Sequence, residues 1–371
     1  MRKRKFQFLI GSIAFLAISI AVFSFIYLQP LAPHLELRRA RFALNTAQKS
    51  GADKYASSLY IDAKQFYDSA MNSWMIQNEK FFLQRDYKQV LEFVQQSINK
   101  ASEAEQKALS QIESSNKIAR QAIEELETKV MLYNRVYKPM PLSPELCKTH
   151  KLGAIKLAEA KIAYQSGKYI ECFASCSEAS KLVNESNLKA ENSLVSWFAD
   201  YSKWKELGNR AISLSKQGRK IILVDKMAHQ CIVYQNGKQL RGFTVELGVN
   251  WMGDKRHKGD KATPEGIYQV IQKKNSLQTK FHKALLLNYP NHEDKERFSE
   301  DQKKGLLSFQ THIGNLIEIH GCGGKGIDWT DGCVALKNDD MDVLYRIVDD
   351  GASVIIVGSL KSLEEIYENK E

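Results

Sequence analysis

The sequence predicts a multidomain chain of three successive parts: a membrane-spanning N-terminal helix, an all-α stalk of helical hairpins and a mostly β C-terminal domain. Three observations carry this. An uncharged run of about 23 residues, Phe6 to Leu28, follows the basic tip MRKRK. Apolar residues then recur at steps of three and four from about Leu35 to Gln217. Near Gly218 the period drops to two, which marks half-buried strands instead of amphipathic helices. The boundaries that follow are 1–30 for the basic tip and anchor, 31–216 for the stalk, 217–360 for the β domain and 361–371 for a C-terminal tail.

The first part is read from length and charge. About 20 apolar residues suffice to cross a bilayer as a helix, and four basic residues ahead of the run keep the N-terminus cytoplasmic, so the rest of the chain is expected on the far side of the membrane. A cleaved signal peptide is the rival, but its apolar core spans about 7–15 residues. This run is longer and enters YLQPLAPH without a small-x-small site. The net charge of +10 raises the question of nucleic acid. From Arg219 onward, however, 22 acidic and 22 basic residues cancel, so the excess lies in the anchor flank and the stalk. No nucleic-acid partner is expected; anionic lipid or wall polymer suits such a stalk better, and a merely solvated surface is the plainer explanation.

Within the stalk, Leu59, Ala63, Phe66, Ala70 and Trp74 share one helical face. Tyr87, Val90, Leu91, Val94, Ile98 and Ala101 share another, continued by Ala108, Ile112, Ala119 and Leu126. Pro139, Pro141 and Pro144 interrupt the pattern. Beyond them Tyr164 to Leu182 repeats Leu83 to Ala101, with Tyr169 over Tyr87, Cys172 over Val90 and Cys176 over Val94. The i, i+4 cysteines therefore read as small core residues, with a disulfide to Cys147 as the alternative. Two such hairpins suggest a spacer or interaction module of the tetratricopeptide kind, offering a surface for an envelope protein partner.

In the β domain, Ile221–Val224, Cys231–Tyr234 and Gln239–Leu247 alternate as strands, with Asn236-Gly237 as the hairpin turn between the last two. Further strands are expected at Gly266–Val270, Leu285–Leu287, Leu316–His320 and Ser353–Val357. One helix is expected, at Asn338–Val348, where Met341, Leu344, Tyr345 and Val348 share a face.

The chemistry concentrates in IHGCGGKGIDWTDGCVAL, residues 319–336. LIEIH puts His320 at the end of a strand that can aim its ring. Cys333 follows 13 residues later, where a glycine-rich connection gives way to an ordered segment. A Cys–His pair can carry nucleophilic acyl transfer: the imidazole takes the thiol proton and the thiolate attacks a carbonyl. The amides of Gly332 and Cys333 are the candidate oxyanion donors. Spacing alone does not establish this, because the pair must meet in space as well as in sequence, and an ordinary loop stays open. A zinc site built from His320, Cys322, Cys333 and His312 lacks paired-ligand spacing and would consume the nucleophile.

IHGCG, DWTDGCVAL and NDDMDVLY, together with GDKATPEGIYQV and LLLNYPN upstream, resemble the catalytic signature of the L,D-transpeptidase (YkuD-type) family over roughly Lys220 to Gly358. The resemblance implies Cys333 as nucleophile, His320 as general base and Gly321 as the residue whose carbonyl orients the imidazole. It implies substrate contacts near Thr330 and Asp331, and Trp329 and Tyr289 are candidate pocket residues. The implied reaction attacks the bond between diaminopimelate and D-alanine in a peptidoglycan tetrapeptide stem and passes the thioester to an acceptor amine. It requires no cofactor and no metal. Two departures stand out: Asp331 replaces a histidine common before the Gly-Cys pair, and Ala335 an arginine common two residues after the cysteine.

The resemblance leaves two rivals. One is a hydrolase of the same fold, an L,D-carboxypeptidase or wall-peptide amidase; the other is a non-catalytic envelope scaffold that binds peptidoglycan. Cys322 reads as a loop bystander or as a resolving thiol for Cys333. His257 and the lysines of GDKRHKGDK read as a solvated loop or as contacts for an acidic stem.

Overall fold

A computed structural model describes residues 2–27 and 32–368. The chain divides into two compact units, Met1–Glu124 with Glu159–Ala174, and Glu125–Ala158 with Ser175–Glu371.

The first helix, α1, runs Arg2–Tyr27. The expected single-pass anchor, and with it the placement of the catalytic domain across a membrane, does not stand: among the described residues no helix is long and apolar enough to cross a bilayer. Leu28 and Pro30 lie outside the described residues.

The remaining helices are α2 (His34–Lys49), α3 (Ala52–Tyr55), α4 (Ser57–Glu79), α5 (Lys88–Leu132), α6 (Pro144–Gln165), α7 (Tyr169–Trp197) and α8 (Tyr201–Ser215). In the first unit, alanines allow close packing: Ala47, Ala52 and Ala63 meet Ala101, Ala104 and Ala108, while Leu37, Ala40 and Ala70 surround Val90 and Val94. Cys172 and Cys176 are buried, as are Val90 and Val94 in the earlier copy of the pattern. A π-helical turn, Tyr133–Tyr137, ends α5 ahead of the prolines.

The second unit is built on an eight-stranded sheet. Its strands are β1 (Ile221–Asp225), β2 (Gln230–Gln235), β3 (Lys238–Thr244), β4 (Gly266–Lys274), β5 (Ala284–Leu287), β6 (Glu318–His320), β7 (Val334–Ala335) and β8 (Ser353–Val357). They lie in the order β3-β2-β1-β8-β4-β5-β6-β7. The pairs β1/β8 and β6/β7 are parallel and the others antiparallel. Strands β1 and β8 are apolar along nearly their whole length because both faces are covered. On one side, α8 lays Trp204 against Gly358, where an added Cβ would come within 2.3 Å of the indole.

A buried ion pair joins the helical and β parts of this unit. Lys226, fully buried, donates to Glu265 Oε1 at 2.8 Å and to the carbonyls of Gly253 and Thr263. Glu265 also accepts the indole N–H groups of Trp204 at 2.7 Å and Trp197 at 3.3 Å. Buried charge needs such full pairing to be tolerated.

Three local readings change. A helix the apolar pattern does not show, α9 (His292–Lys303), follows β5; it is started by a capping box between Asn291 and Asp294. Ion pairs hold it, Asp301 with Arg256 at 2.9 Å and Arg297 with Asp254 at 2.9 Å, where a hydrophobic stripe would normally serve. The expected strand Leu316–His320 begins only at Glu318, because Leu316 adopts φ 58°. The strand Gln239–Leu247 ends at Thr244. The expected helix is present as α10 (Asn338–Ile347), and a short α11 (Leu363–Glu368) closes the described chain.

Candidate active site

Strands β6 and β7 set the site. Ile319 pairs with Val334 and His320 with Ala335 in parallel register. Side chains alternate across a strand, so Glu318 and His320 share one face of β6. One residue before β7, the same register sets Cys333 beside Glu318 on that face. The thiol and the imidazole are therefore diagonal neighbours on adjacent strands, with a Cβ separation of about 7 Å or less.

His320 is completely buried. Its Nδ1 donates to the Gly321 carbonyl at 2.6 Å, which places the ring proton on Nδ1 and leaves the Nε2 lone pair open to accept a proton. Among the described residues, Nε2 has no hydrogen-bond partner. Phe281 stacks on the ring, centroids 3.5 Å apart and planes 5° off parallel. Trp329 meets it edge-on at 5.8 Å. Burial drives its pKa down to about 4, against the opposing pull of the Gly321 carbonyl and Glu318, while Lys280 and Lys325 push it lower still. The imidazole is neutral at pH 7.

Cys333 is half-buried, and its Sγ lies 3.6 Å from the Leu316 carbonyl, which the φ of Leu316 turns toward it. Burial pushes the thiol up to about 11, against a hydrogen bond from the Glu318 backbone and the charges of Lys255 and Lys280. The resting pair is thus thiol plus neutral imidazole. Such a pair reacts by proton transfer at the moment of attack, with no preformed thiolate–imidazolium pair.

The turn before Cys333 is fixed on every side. Thr330 is buried; its hydroxyl donates to the Cys333 carbonyl at 2.7 Å and accepts from the Gly332 amide at 3.2 Å. Its own amide donates to Leu247 O. Gly332 has φ 127°, and a Cβ there would lie 2.5 Å from the Ala262 carbonyl, so only glycine fits. Lys255 donates to Asp260 at 2.8 Å and to the Asp331 carbonyl at 3.2 Å.

These contacts sort the residues singled out in the sequence. His320, Gly321, Cys333, Thr330 and Gly332 come together. The Gly332 amide is taken by Thr330, so of the two candidate oxyanion donors only the Cys333 amide has no partner among the described residues. The Thr330 hydroxyl is likewise committed to the turn. Trp329 borders His320, and its indole donates to Glu246 Oε2 at 2.7 Å. The Asp331 side chain is exposed. Tyr289 is buried, with its hydroxyl on Ile313 O and its ring against Tyr268; its described contacts do not reach the Cys–His pair. Cys322 is exposed at φ 66°, its amide held by Asn338 Oδ1 at 2.7 Å. Lys255 belongs to the site, although the lysines around it read as solvated. Phe281 gave no signal beyond an aromatic in the polar run TKFHK; the pairing of Ala284 with His320 across β5 and β6 brings its loop to the base. A cleft of about 920 Å³ borders Ala335, opposite His320, and is lined also by Glu246, Asp328, Lys337 and Lys138.

Residues 219–356 match the family model of the YkuD L,D-transpeptidase catalytic domain. No curated protein matches the chain. Among solved structures, the chain is similar to an L,D-transpeptidase from Mycobacterium smegmatis (15% identity, TM-score 0.25, 38% of this chain and 59% of that one). It is similar also to one from Stackebrandtia nassauensis (17%, 0.26, 38% and 56%) and to L,D-transpeptidase 1 of Mycobacterium tuberculosis (17%, 0.23, 38% and 61%). The match thus spans less than two thirds of each of these chains.

Proposed function

Residues 219–356 being a YkuD-type L,D-transpeptidase catalytic domain, we propose that this chain acylates Cys333 with a peptidoglycan stem peptide and passes the acyl group to an amine. The observation that carries this reading is the buried, unpartnered Nε2 of His320, on the same sheet face as the Cys333 thiol and oriented by the Gly321 carbonyl. An unsatisfied buried nitrogen costs stability, and the arrangement makes sense if that nitrogen has a proton to receive.

In the first half-reaction, Nε2 takes the thiol proton as Sγ bonds to the carbonyl carbon between diaminopimelate and the terminal D-alanine. The tetrahedral oxyanion accepts a hydrogen bond from the Cys333 amide. The C–N bond then breaks, the nitrogen receives the proton from His320, and D-alanine leaves. In the second half-reaction an amine attacks the thioester and gives its proton to Nε2; Sγ departs as the new amide forms and takes that proton, which restores the thiol and the neutral imidazole. Water in place of the amine would give a carboxypeptidase, so acceptor choice rests on which of the two reaches the thioester.

Expression of the parent and of Cys333→Ala in a peptidoglycan-containing bacterium, followed by analysis of wall fragments, tests the proposal. The parent should add diaminopimelate-to-diaminopimelate cross-links or other amine-transfer products, and the variant none. Equal amounts in both would refute catalysis; trimmed stems alone would assign hydrolysis.

A further inference from the structure

We propose that Glu318 determines specificity in the second half-reaction: its carboxylate holds the ammonium of an incoming amine beside the Cys333 thioester and so favours aminolysis over hydrolysis. This deepens the function proposed above and rests on it. Glu318 carries a charge that the first half-reaction does not need. Its carboxylate acts on both reacting groups, and at the thiol it opposes the negative charge that attack requires. A group that works against the nucleophile from the adjacent strand calls for a use elsewhere in the reaction.

Strand register places it. Ile319 faces Val334 and His320 faces Ala335, so one step earlier Glu318 faces Cys333 across a strand spacing of about 5 Å. The Glu318 backbone also hydrogen-bonds the thiol. The side chain is buried, and Lys274 donates to its Oε1 at 2.7 Å. That ion pair takes one oxygen and leaves the other: Oε2 accepts no hydrogen bond from any described residue and is not closed off from solvent. The same cross-strand row continues from Glu318 to Leu286 on β5 and Gln272 on β4. Leu286 is half-buried and Gln272 exposed, so the row leads from the thiol out to solvent and gives an acceptor a way in.

A primary amine arrives protonated at pH 7. Its ammonium binds Oε2, loses one proton to water and attacks the thioester carbon, and positive charge develops on the nitrogen as the N–C bond forms. The carboxylate offsets that charge. Nε2 of His320 takes the second proton and passes it to Sγ as the C–S bond breaks. Water arrives neutral, so the carboxylate does not gather it in the same way. Lys274 offsets part of the Glu318 charge and thereby limits its cost to the thiol.

The test is how the acyl-enzyme, formed on the purified full chain with a stem tetrapeptide, divides between butylamine, a cation at pH 7, and hydroxylamine, which is uncharged. Glu318→Gln keeps the shape and should lower the butylamide-to-hydroxamate ratio on the order of tenfold, the worth of a hydrogen bond to a charged group. The same variant should speed acylation, because the charge opposing the thiolate is gone. Lys274→Met frees both carboxylate oxygens and should raise the ratio roughly two- to fivefold. A merely structural ion pair would move both variants in the same direction. An unchanged ratio in Glu318→Gln, or an equal fall in the two variants, therefore overturns the proposal. The joint variant, uncharged at both positions, should match Glu318→Gln and stands in for it if the single variant does not fold. If no stem peptide acylates Cys333, the transpeptidase reading fails, and the ammonium site is then read from Cys333 alkylation by 2-bromoethylamine relative to 2-bromoethanol. A lower ratio in Glu318→Gln sustains the site, and an equal ratio refutes it.

Discussion

Phe281→Ala should move the acid limb of Cys333 reactivity upward. In the folded chain the His320 pKa is about 4 against an ordinary 6.5, because burial penalises the imidazolium. That gap corresponds to roughly 3 kcal/mol at 1.36 kcal/mol per pKa unit. The sign follows from proton counting: between pH 6.5 and 4 the unfolded chain binds the proton that the folded chain refuses, so stability falls as pH drops through this window. Phe281 covers one whole face of the ring at 3.5 Å, and Trp329 meets it by an edge. Removing the stacked face should return about one unit of the shift, bringing the midpoint to about 5. The assay is the rate of Cys333 carbamidomethylation by iodoacetamide against pH, with mass spectrometry to resolve Cys333 from the exposed Cys322. The rate should follow the neutral imidazole, with a midpoint near 4 in the parent. Phe281→Leu, which keeps the site covered, should stay near the parent. The reasoning is refuted if the alanine variant titrates at or below the parent, or if the parent itself titrates near 6.5.

Three further substitutions probe the scaffold. Gly332→Ala drives a methyl to 2.5 Å from the Ala262 carbonyl at a φ of 127°; Cys333 acylation should fall at least a hundredfold and urea unfolding should register a loss of about 2 kcal/mol. Thr330→Val keeps the shape but removes the hydroxyl that bridges the Cys333 carbonyl and the Gly332 amide, so about 2 kcal/mol of stability should be lost in the same measurement, with slower Cys333 alkylation. Glu265→Gln leaves the Lys226 ammonium buried without its counter-charge; a loss of about 3 kcal/mol in denaturant unfolding is expected, accompanied by a change in the fluorescence of Trp197 and Trp204.

What the sequence shows of this molecule is what recurs locally. The alternation of β1 and β2 and the face of α10 are periodic, and His320 and Cys333 sit in a short contiguous signature. Helix α9 has no such period, because Asn291, Arg297 and Asp301 do the work of an apolar stripe through a cap and ion pairs. The change of period near Gly218 marks where strands begin, but says nothing of which core α8 joins, since Trp204 is one more apolar residue on a helical face until Gly358 opens a place for it. The expected anchor rests on the length of an apolar run and its basic flank, and the described helices contain no span that satisfies it. Phe281 and Lys280 lie about 40 residues from His320, and only the β5/β6 register closes that distance.

The same register explains what the departures at Asp331 and Ala335 do to the site. Ala335 is buried, directly opposite His320, and its amide and carbonyl are both bonded to Glu246. A long basic side chain at this position would rise from the same face as the imidazole. With alanine there the strand adds no charge, and the cations that act on the thiol are Lys255 and Lys280. Charge carried by a strand has a fixed position, whereas charge carried by exposed loop lysines moves with the loop and is screened by salt. The pull of the exposed Lys280 on the thiol should therefore weaken as ionic strength rises, while that of the buried Lys255 should persist.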